Sequence, residues 1–442
     1  MIDWSRTFPN PLLAAAAAAP GTVALVARDG HWSYQDLLVA VRRRAAGFAA
    51  LGLEAGQRIG LRMTRTGDDV ISLHALLWLG ATVAPLGPGE EPAEDIDRSV
   101  EVGADGEAAD APAAEPWPLD WTPLMLLTSG TTGTPKRVSL TAGQLVFNAM
   151  GSAMRLGHLP GDRWLNPLPL HHVGGLAVLF RCAFGATTVE LEPEFDPKRI
   201  AGRLASGAVT QVSMVPNMLA RVLEHRQQFP GLRTILLGGA KASPELLERA
   251  RGMGLPVAVS WGMSEAASQV ATTSPGQIAP SAAPLPFTVV EEEAGRLLVR
   301  GPTAAGTIVT SDRGSIDATG RVTVTGRVDE VIISGGENID PVEVASVLAE
   351  HPAVDRAYVV GLPDERYGQR PAAALVPSGE ARPSAAELRR FVGTRIARFK
   401  APDRLLWIQE APTSAMGKVR MSALRDWLSR VQPGLADRRR ND

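Results

Sequence analysis

The stretch LLTSGTTGTPKRVSL, residues 126–140, decides how the rest of the chain is read. An apolar strand, LMLLT, runs into a series of small hydroxyl and glycine residues that closes on Lys136. It is not a Walker-type phosphate loop. That motif needs four residues between its glycines and then Gly-Lys-Ser/Thr, whereas Gly130 and Gly133 stand closer and Lys136 follows Thr134 and Pro135. The ingredients still suit a phosphate. Glycines let backbone approach an anion closely, and successive amides in a tight loop form an anion nest. Thr128, Ser129, Thr131, Thr132 and Thr134 add hydroxyl donors, and Lys136 adds a cation. The competing reading is a flexible Gly/Thr surface turn; the strand before the run and the lysine at its end weigh against it.

Length and composition narrow the classes around this loop. The chain has 442 residues, enough for two to four domains, or one large and one small. With 45 Lys+Arg against 47 Asp+Glu the charge is nearly balanced, so no polyanionic partner is implied. Aromatic residues are few and do not interleave with basic ones, which leaves nucleic-acid binding without support. The one cysteine, Cys182, excludes an internal disulfide and suits a reducing cytoplasm. No apolar run reaches membrane-spanning length. The run PLLAAAAAAP, residues 11–20, lacks the basic front end of a signal peptide, because Asp3 offsets Arg6, and reads as a packed N-terminal helix.

Strands and helices alternate on both sides of the loop. Before it come a strand pair turning at Asp29-Gly30, a helix from near Ser33 to Gly52, the strand RIGLRM, the helix DDVISLHALLWLGA and the strand TVAPLG. Residues 87–120 are acidic, rich in Pro and Gly and weakly patterned, and read as a solvated loop. After the loop, helices such as GGLAVLFRCAFGA and PNMLARVLEH alternate with strands such as VTQVSMV, LRTILLGG and PVAVSWG. This order predicts an α/β fold with a largely parallel sheet covered by helices. Residues 285–325 turn to short strands, a small β-rich subdomain. Beyond GRVDEVIISGGENIDP the pattern is α+β, and about 115 residues remain, enough for a domain of their own.

Four further stretches carry candidate chemistry. In PLHHVGGL, residues 169–176, His172 ahead of Gly174-Gly175 reads as a gate beside a narrow pocket, although a lone histidine is usually structural. One cysteine, few histidines and no ligand spacing argue against a protein-built metal site. In LLGGAKAS, Gly238, Gly239 and Ala240 end a strand where a flat ligand can approach backbone, a weak signal by itself. In SWGMSEAASQVAT, a strand ends at Gly262 and places Ser264 and Glu265 at its carboxyl end, where open α/β sheets bind ligands. A carboxylate there suits Mg²⁺ on phosphates; the plainer alternative is a helix-capping pair. In the fourth, Asp312 could accept from two ribose hydroxyls, and Lys418 follows Gly417 near the end.

Taken in order, from WSYQDL to GKVRM, these motifs resemble the adenylate-forming superfamily of acyl-CoA synthetases, adenylation domains and luciferases. The resemblance covers nearly the whole chain. It implies a large N-terminal AMP-binding domain (1–327) of α/β subdomains plus the β-rich one, and a small mobile α+β C-terminal domain (328–442) that rotates about a hinge near Asp329. It implies that Thr128, Ser129, Gly130, Thr131, Thr132, Gly133 and Lys136 hold pyrophosphate, and that Gly238 to Ala240 contact adenine. Ser264 would touch the α-phosphate and Glu265 would hold Mg²⁺. Asp312 would bind ribose, supported by Arg327. Gly335 and Gly336 would form the loop that enters the site for thioester formation, and Lys418 would assist adenylation.

Two stretches narrow the resemblance to the o-succinylbenzoate–CoA ligases of menaquinone biosynthesis: HHVGGLAVLFRCAFGATTVELEPEFDP and GMSEAASQVAT. On that resemblance Arg181, Ser268 and Gln269 face the acid. A dicarboxylate needs a cation for the carboxylate that does not react, and a guanidinium suits it; alternatively, Arg181 simply ends a helix. Thr310-Ser311-Asp312 departs from the superfamily's Thr-Gly-Asp, and the chain is short around 87–120 and 277–306. The expected reaction is ATP-dependent ligation of 2-succinylbenzoate to CoA through an acyl-adenylate, releasing AMP and pyrophosphate. Another aryl- or acyl-CoA ligase, or an adenylation enzyme loading a separate carrier protein, is the alternative. ATP, Mg²⁺ and CoA are the expected cofactors and co-substrates. Self-association into a homo-oligomer is left open.

Overall fold

A computed structural model describes residues 6–92, 94–100, 105–129, 135–225, 227–413 and 419–431. Contacts divide the chain into two compact units. The first comprises Met1–Glu292, Leu298–Val309 and Ile316–Thr323, and the second Glu293–Leu297, Thr310–Ser315 and Val324–Asp442. The division is therefore not a single cut in the sequence.

The first unit is built on a nine-stranded sheet. Its centre is parallel and runs Val257–Met263, Thr234–Leu237, Gln211–Met214, Arg163–Asn166, Thr188–Leu191, Val23–Ala27. Antiparallel strands close both ends. Strands Thr188–Leu191, Gln211–Met214 and Thr234–Leu237 are buried along their whole length, as parallel strands covered on both faces are. Helix Val173–Gly185 carries the chain from Arg163–Asn166 to Thr188–Leu191. Helix Pro197–Ala205 then returns it to the other side of Arg163–Asn166. The strand order thus reverses between Arg163–Asn166 and Gln211–Met214, and the crevice at their carboxyl ends is where such sheets bind ligands.

A five-stranded sheet holds the hairpin of residues 124–140. Arg98–Val100, Arg58–Arg62, Thr82–Leu86 and Leu124–Ser129 run parallel, and Pro135–Leu140 returns antiparallel. Helices start where short polar side chains take up otherwise orphaned amides. Ser33 with Asp36, Thr66 with Asp69 and Thr141 with Gln144 each form a reciprocal capping box. The N-terminal alanine run is helix Pro11–Ala18, capped by Asn10, with Leu12, Ala15 and Ala16 buried.

Residues 87–120 depart from the solvated loop expected of them. Arg98–Val100 adds an edge strand. Asp105 pairs with Arg44, a guanidinium that is almost fully buried and also binds Asp68 and Ser72. Trp117 is 2% exposed and packs against Trp121, Phe180 and Phe184. An acidic composition hid this, because one acid compensates a buried cation contributed by another segment.

Strands Val289–Glu293, Arg296–Arg300, Ile308–Ile316 and Val322–Arg327 make a four-stranded sheet in that order, the β-rich portion expected, and are divided between the two units. The second unit has its own core around Ile332, Ile339, Val344, Leu348, Leu375, Leu388 and Val392. Its sheet pairs the long hairpin Val354–Asp364 and Gly368–Pro377, with Arg404–Trp407 added in parallel to the latter. Helices Pro341–Ala349, Ala385–Gly393 and Met421–Arg430 complete an α+β unit.

Candidate active site

Three turns meet the carboxyl edge of the central sheet. Strand Thr234–Leu237 ends in Gly238-Gly239-Ala240. Gly239 has φ +79, a conformation that favours glycine. Strand Val257–Met263 ends in a 3₁₀ turn, Ser264–Ala266, followed by Ala267 at φ 56 and the antiparallel strand Ser268–Thr272. Here Gly262 is obligatory, since a Cβ on it would lie 1.8 Å from the Ser268 carbonyl oxygen. Strand Arg163–Asn166 leads to His171, His172 and helix Val173–Gly185. A Cβ on Gly175 would lie 2.2 Å from the Pro169 carbonyl oxygen, so that glycine sets how closely the helix start meets the strand exit.

The Ser264–Ser268 turn is held from beneath by one helix. Gln144 donates to the Glu265 carbonyl at 2.7 Å and to the Thr303 carbonyl at 3.2 Å. Asn148 donates to the carbonyls of Ala266 and Gln269 at 3.0 and 2.8 Å. Ser264 is not a side-chain helix cap, so the capping alternative for this pair has no support. The Glu265 side chain is half-buried and makes no hydrogen bond or ion pair among the described residues. Among the described residues no three acidic, histidine or cysteine side chains cluster as a metal cage. A single open carboxylate fits an Mg²⁺ that takes most of its oxygens from nucleotide phosphates and water.

The phosphate-loop candidates are placed only in part. Gly130, Thr131, Thr132, Gly133 and Thr134 lie outside the described residues. The strands that carry them pair Thr128 with Lys136, and the Thr128 hydroxyl donates to the Lys136 carbonyl at 3.1 Å. Lys136 is exposed, and its strand packs against the Ser264–Ala266 turn.

Of the residues expected to face the acid, Arg181 does not end its helix. It sits inside Val173–Gly185, 2% exposed. It donates to Ser268 Oγ at 3.1 Å, and its Nε is buried without a partner among the described residues. Burial lowers its pKa to about 10. Gln269 is turned inward. Its amide donates to Ser152 Oγ at 2.9 Å and its amide oxygen accepts from Thr272 at 2.7 Å, so Ser268 is the member of the pair that meets Arg181. His172 caps no amide with its side chain. Burial, then the neighbouring His171 ring at 4.3 Å, push its pKa down to about 4, so the imidazole is neutral at ordinary pH.

In the second unit, Arg327 binds both oxygens of Asp329 at 2.9 and 2.8 Å and reaches Asp312 at 3.5 Å. Its pKa is raised, led by the bond to Asp329. Gly335 and Gly336, at φ +61 and +87, make the two-residue turn between Ile332–Ser334 and Glu337–Ile339; a two-residue hairpin loop needs positive φ at both positions. Lys418 lies outside the described residues.

Sequence reading missed Gln144, Asn148 and Ser152. The Thr141–Gln144 capping box was a legible signal for Gln144, but nothing local announces that its amide also reaches across 121 residues to Glu265.

Comparison with known proteins places the chain in a family. A family model described as "AMP-binding enzyme" matches residues 12–104 and 89–315, and one described as "AMP-binding enzyme C-terminal domain" matches 343–418. The 2-succinylbenzoate--CoA ligase of Bacillus subtilis (strain 168) is 32% identical, covering 95% of this chain and 98% of the relative. That of Geobacillus kaustophilus is 32% identical over 97% and 98%. The fold matches o-succinylbenzoate CoA synthetase (MenE) of Bacillus subtilis in complex with the acyl-adenylate intermediate OSB-AMP, with TM-score 0.84, 31% identity and coverage of 96% and 99%. It matches the same synthetase in complex with ATP and magnesium ion equally, at TM-score 0.84 and 31% identity over 95% and 99%. By sequence and by fold, over nearly its full length, the chain belongs to the AMP-binding enzyme family, on the branch of the 2-succinylbenzoate--CoA ligases.

Proposed function

We propose that this protein joins 2-succinylbenzoate to CoA at the expense of ATP, through an acyl-adenylate, releasing AMP and pyrophosphate. The observation that carries the substrate choice is Arg181: a buried cation beside the catalytic turn with no carboxylate among the described residues to neutralise it. Desolvating a charge is costly unless it is paired. The second carboxylate of a dicarboxylic acid supplies that pair.

In the first half-reaction one carboxylate attacks the α-phosphate of ATP. The hydroxyls and amides of residues 128–134, with Lys136 and Lys418, would stabilise the charge that develops on the phosphates, which is electrostatic stabilisation with no protein nucleophile. Ser264 would meet the α-phosphate, and Glu265 would hold an Mg²⁺, which when bound supplies positive charge to the phosphate oxygens. Gly238 to Ala240 and Gly262 give adenine an approach to bare backbone. Asp312, steadied by Arg327, takes the ribose. Neutral His172 walls the acid pocket, and Arg181 with Ser268 fixes the far carboxylate, with Gln269 bracing the strand beneath. In the second half-reaction the C-terminal domain, 328–442, turns about Asp329, Gly335-Gly336 enters, and the CoA thiol attacks the acyl-adenylate. The buried thiol of Cys182 has no part in this, and a reducing cytoplasm suits it.

Pyrophosphate release across a panel of carboxylic acids, with and without CoA, tests the reading. 2-Succinylbenzoate should be preferred over benzoate and over fatty acids. Equal or faster turnover of a plain fatty acid defeats the substrate assignment. CoA-independent consumption with no thioester formed points to a carrier-loading enzyme instead.

A further inference from the structure

The guanidinium of Arg181 lies against the indole of Trp164, with Cζ 5.4 Å from the ring centroid. Trp164 is itself 2% exposed and lies on Arg163–Asn166, at the point where the sheet order reverses. Its Nε1 donates to Ser213 Oγ at 2.9 Å, on the strand across that reversal. Its ring is met edge-on by His158, at 5.2 Å and 87°. The Trp164 ring is therefore fixed by a hydrogen bond on one strand and an aromatic contact from a loop.

A buried cation must be held by something. A carboxylate would hold it and also neutralise it, leaving nothing for the substrate. An aromatic face attracts the cation through its quadrupole and leaves the charge in place. We infer that Trp164 is the positioning residue that holds Arg181 in a charged, uncompensated state toward Ser268, and that it thereby sets the preference for an acid with a second carboxylate. This rests on the reading of Arg181 given above. His158 fits the same design. Burial, then Arg181 itself, keep its imidazole neutral, with a pKa lowered to about 4; Asp162 acts in the opposite sense and Arg233 in the same one. His158 itself therefore adds no positive charge beside the ring at ordinary pH.

Steady-state kinetics on the full-length protein, with ATP and CoA saturating, test this with three acids: 2-succinylbenzoate and its two monocarboxylate analogues, each lacking one carboxylate. Trp164→Leu should raise KM for 2-succinylbenzoate about tenfold, and Trp164→Phe, which keeps a ring, about threefold. Both should move kcat by less than about twofold. The preference for the dicarboxylate over whichever analogue is turned over should fall by the same factor as KM rises. In an Arg181→Met background, Trp164→Leu should add less than about twofold, because the two residues act through one contact. Equal losses on all three acids, or full additivity with Arg181→Met, would overturn the inference and leave Trp164 a packing residue. If Trp164→Leu does not fold, Ser213→Ala and Trp164→Phe carry the test. A KM for the dicarboxylate unmoved in both overturns it. If Arg181→Met alone leaves that KM unmoved, the Arg181 reading itself fails, and the inference with it.

Discussion

At the scale of single residues, Arg181 shows how burial changes the meaning of a side chain. An arginine inside VLFRCAF reads equally well as a helix end or as a ligand-binding cation. The helix continues four residues past it to Gly185, and the side chain is 2% exposed, so its charge cannot be discharged into solvent. Arg181→Met keeps an apolar stem of similar length and removes the charge. Binding of the dicarboxylate should weaken by about 2 kcal/mol or more, roughly thirtyfold in KM, because its far carboxylate loses its partner. ATP binding should barely move. Measuring KM for both substrates checks this, and equal effects on the two would make Arg181 a structural residue. Ser268 and Gln269 stand side by side in sequence, yet one meets Arg181 and the other is locked into Ser152 and Thr272. Successive strand residues point to opposite faces, so adjacency in a motif cannot give both the same task.

At the scale of elements, the turn after Val257–Met263 depends on an absent side chain. With only 1.8 Å between an ideal Cβ on Gly262 and the Ser268 carbonyl oxygen, any substitution must open the pairing of the two strands that flank the Ser264–Ala266 turn. Gly262→Ala should destabilise the fold by about 1–3 kcal/mol, the usual cost of overpacking, and depress adenylation in the fraction that remains folded. Urea unfolding followed by fluorescence, together with pyrophosphate release, measures both. A variant with unchanged stability and rate would show that the turn tolerates movement. The elements themselves follow local rules. Ser33, Thr66 and Thr141 start helices with capping boxes, and the two-residue turn at Gly335-Gly336 takes the positive φ that its sequence allows. Residues 87–120 were harder, since the contacts that order them include long-range ones from Asp105 to Arg44 and from Trp117 to Phe180 and Phe184.

At the scale of the whole molecule, three histidines of the first unit give its stability a pH dependence. His74, His158 and His172 are each pushed from 6.5 to about 4, led by burial in every case. The unfolded chain takes up protons at these residues as pH falls below about 6.5, and the folded chain does not until about 4. The unfolded state is therefore favoured through that window: the stabilisation is complete above about 6.5 and is lost progressively toward about 4. Urea midpoints at pH 7.5 and 5 should differ, with the lower value at pH 5; a flat or inverted profile contradicts the assignment. The other whole-molecule expectation concerns the two half-reactions. If Lys418 serves adenylation alone, Lys418→Ala should depress acyl-adenylate formation by orders of magnitude. The same variant, given preformed acyl-adenylate and CoA, should form thioester at close to the normal rate. Equal slowing of both steps would rule out a two-orientation mechanism that uses Lys418 in one orientation only.

By itself the sequence determined what depends on residues near one another along the chain. These are the alternation of strand and helix, the capped helix starts, the glycines of the turns, the order of the motifs and hence the family. Short-range physics sets these features, because backbone hydrogen bonds, side-chain caps and φ preferences act over a few residues. The tertiary structure alone decided which charged and polar groups meet. It buried Arg181 against Trp164, 17 positions earlier in the chain but on the neighbouring strand, and brought Ser268 to it from 87 residues away. It also set Gln144 and Asn148 beneath the Ser264–Ser268 turn and gave Asp105 to Arg44. The strength of such pairings comes from exclusion of water, which is a property of the folded surroundings and not of any segment, so no local pattern announces them.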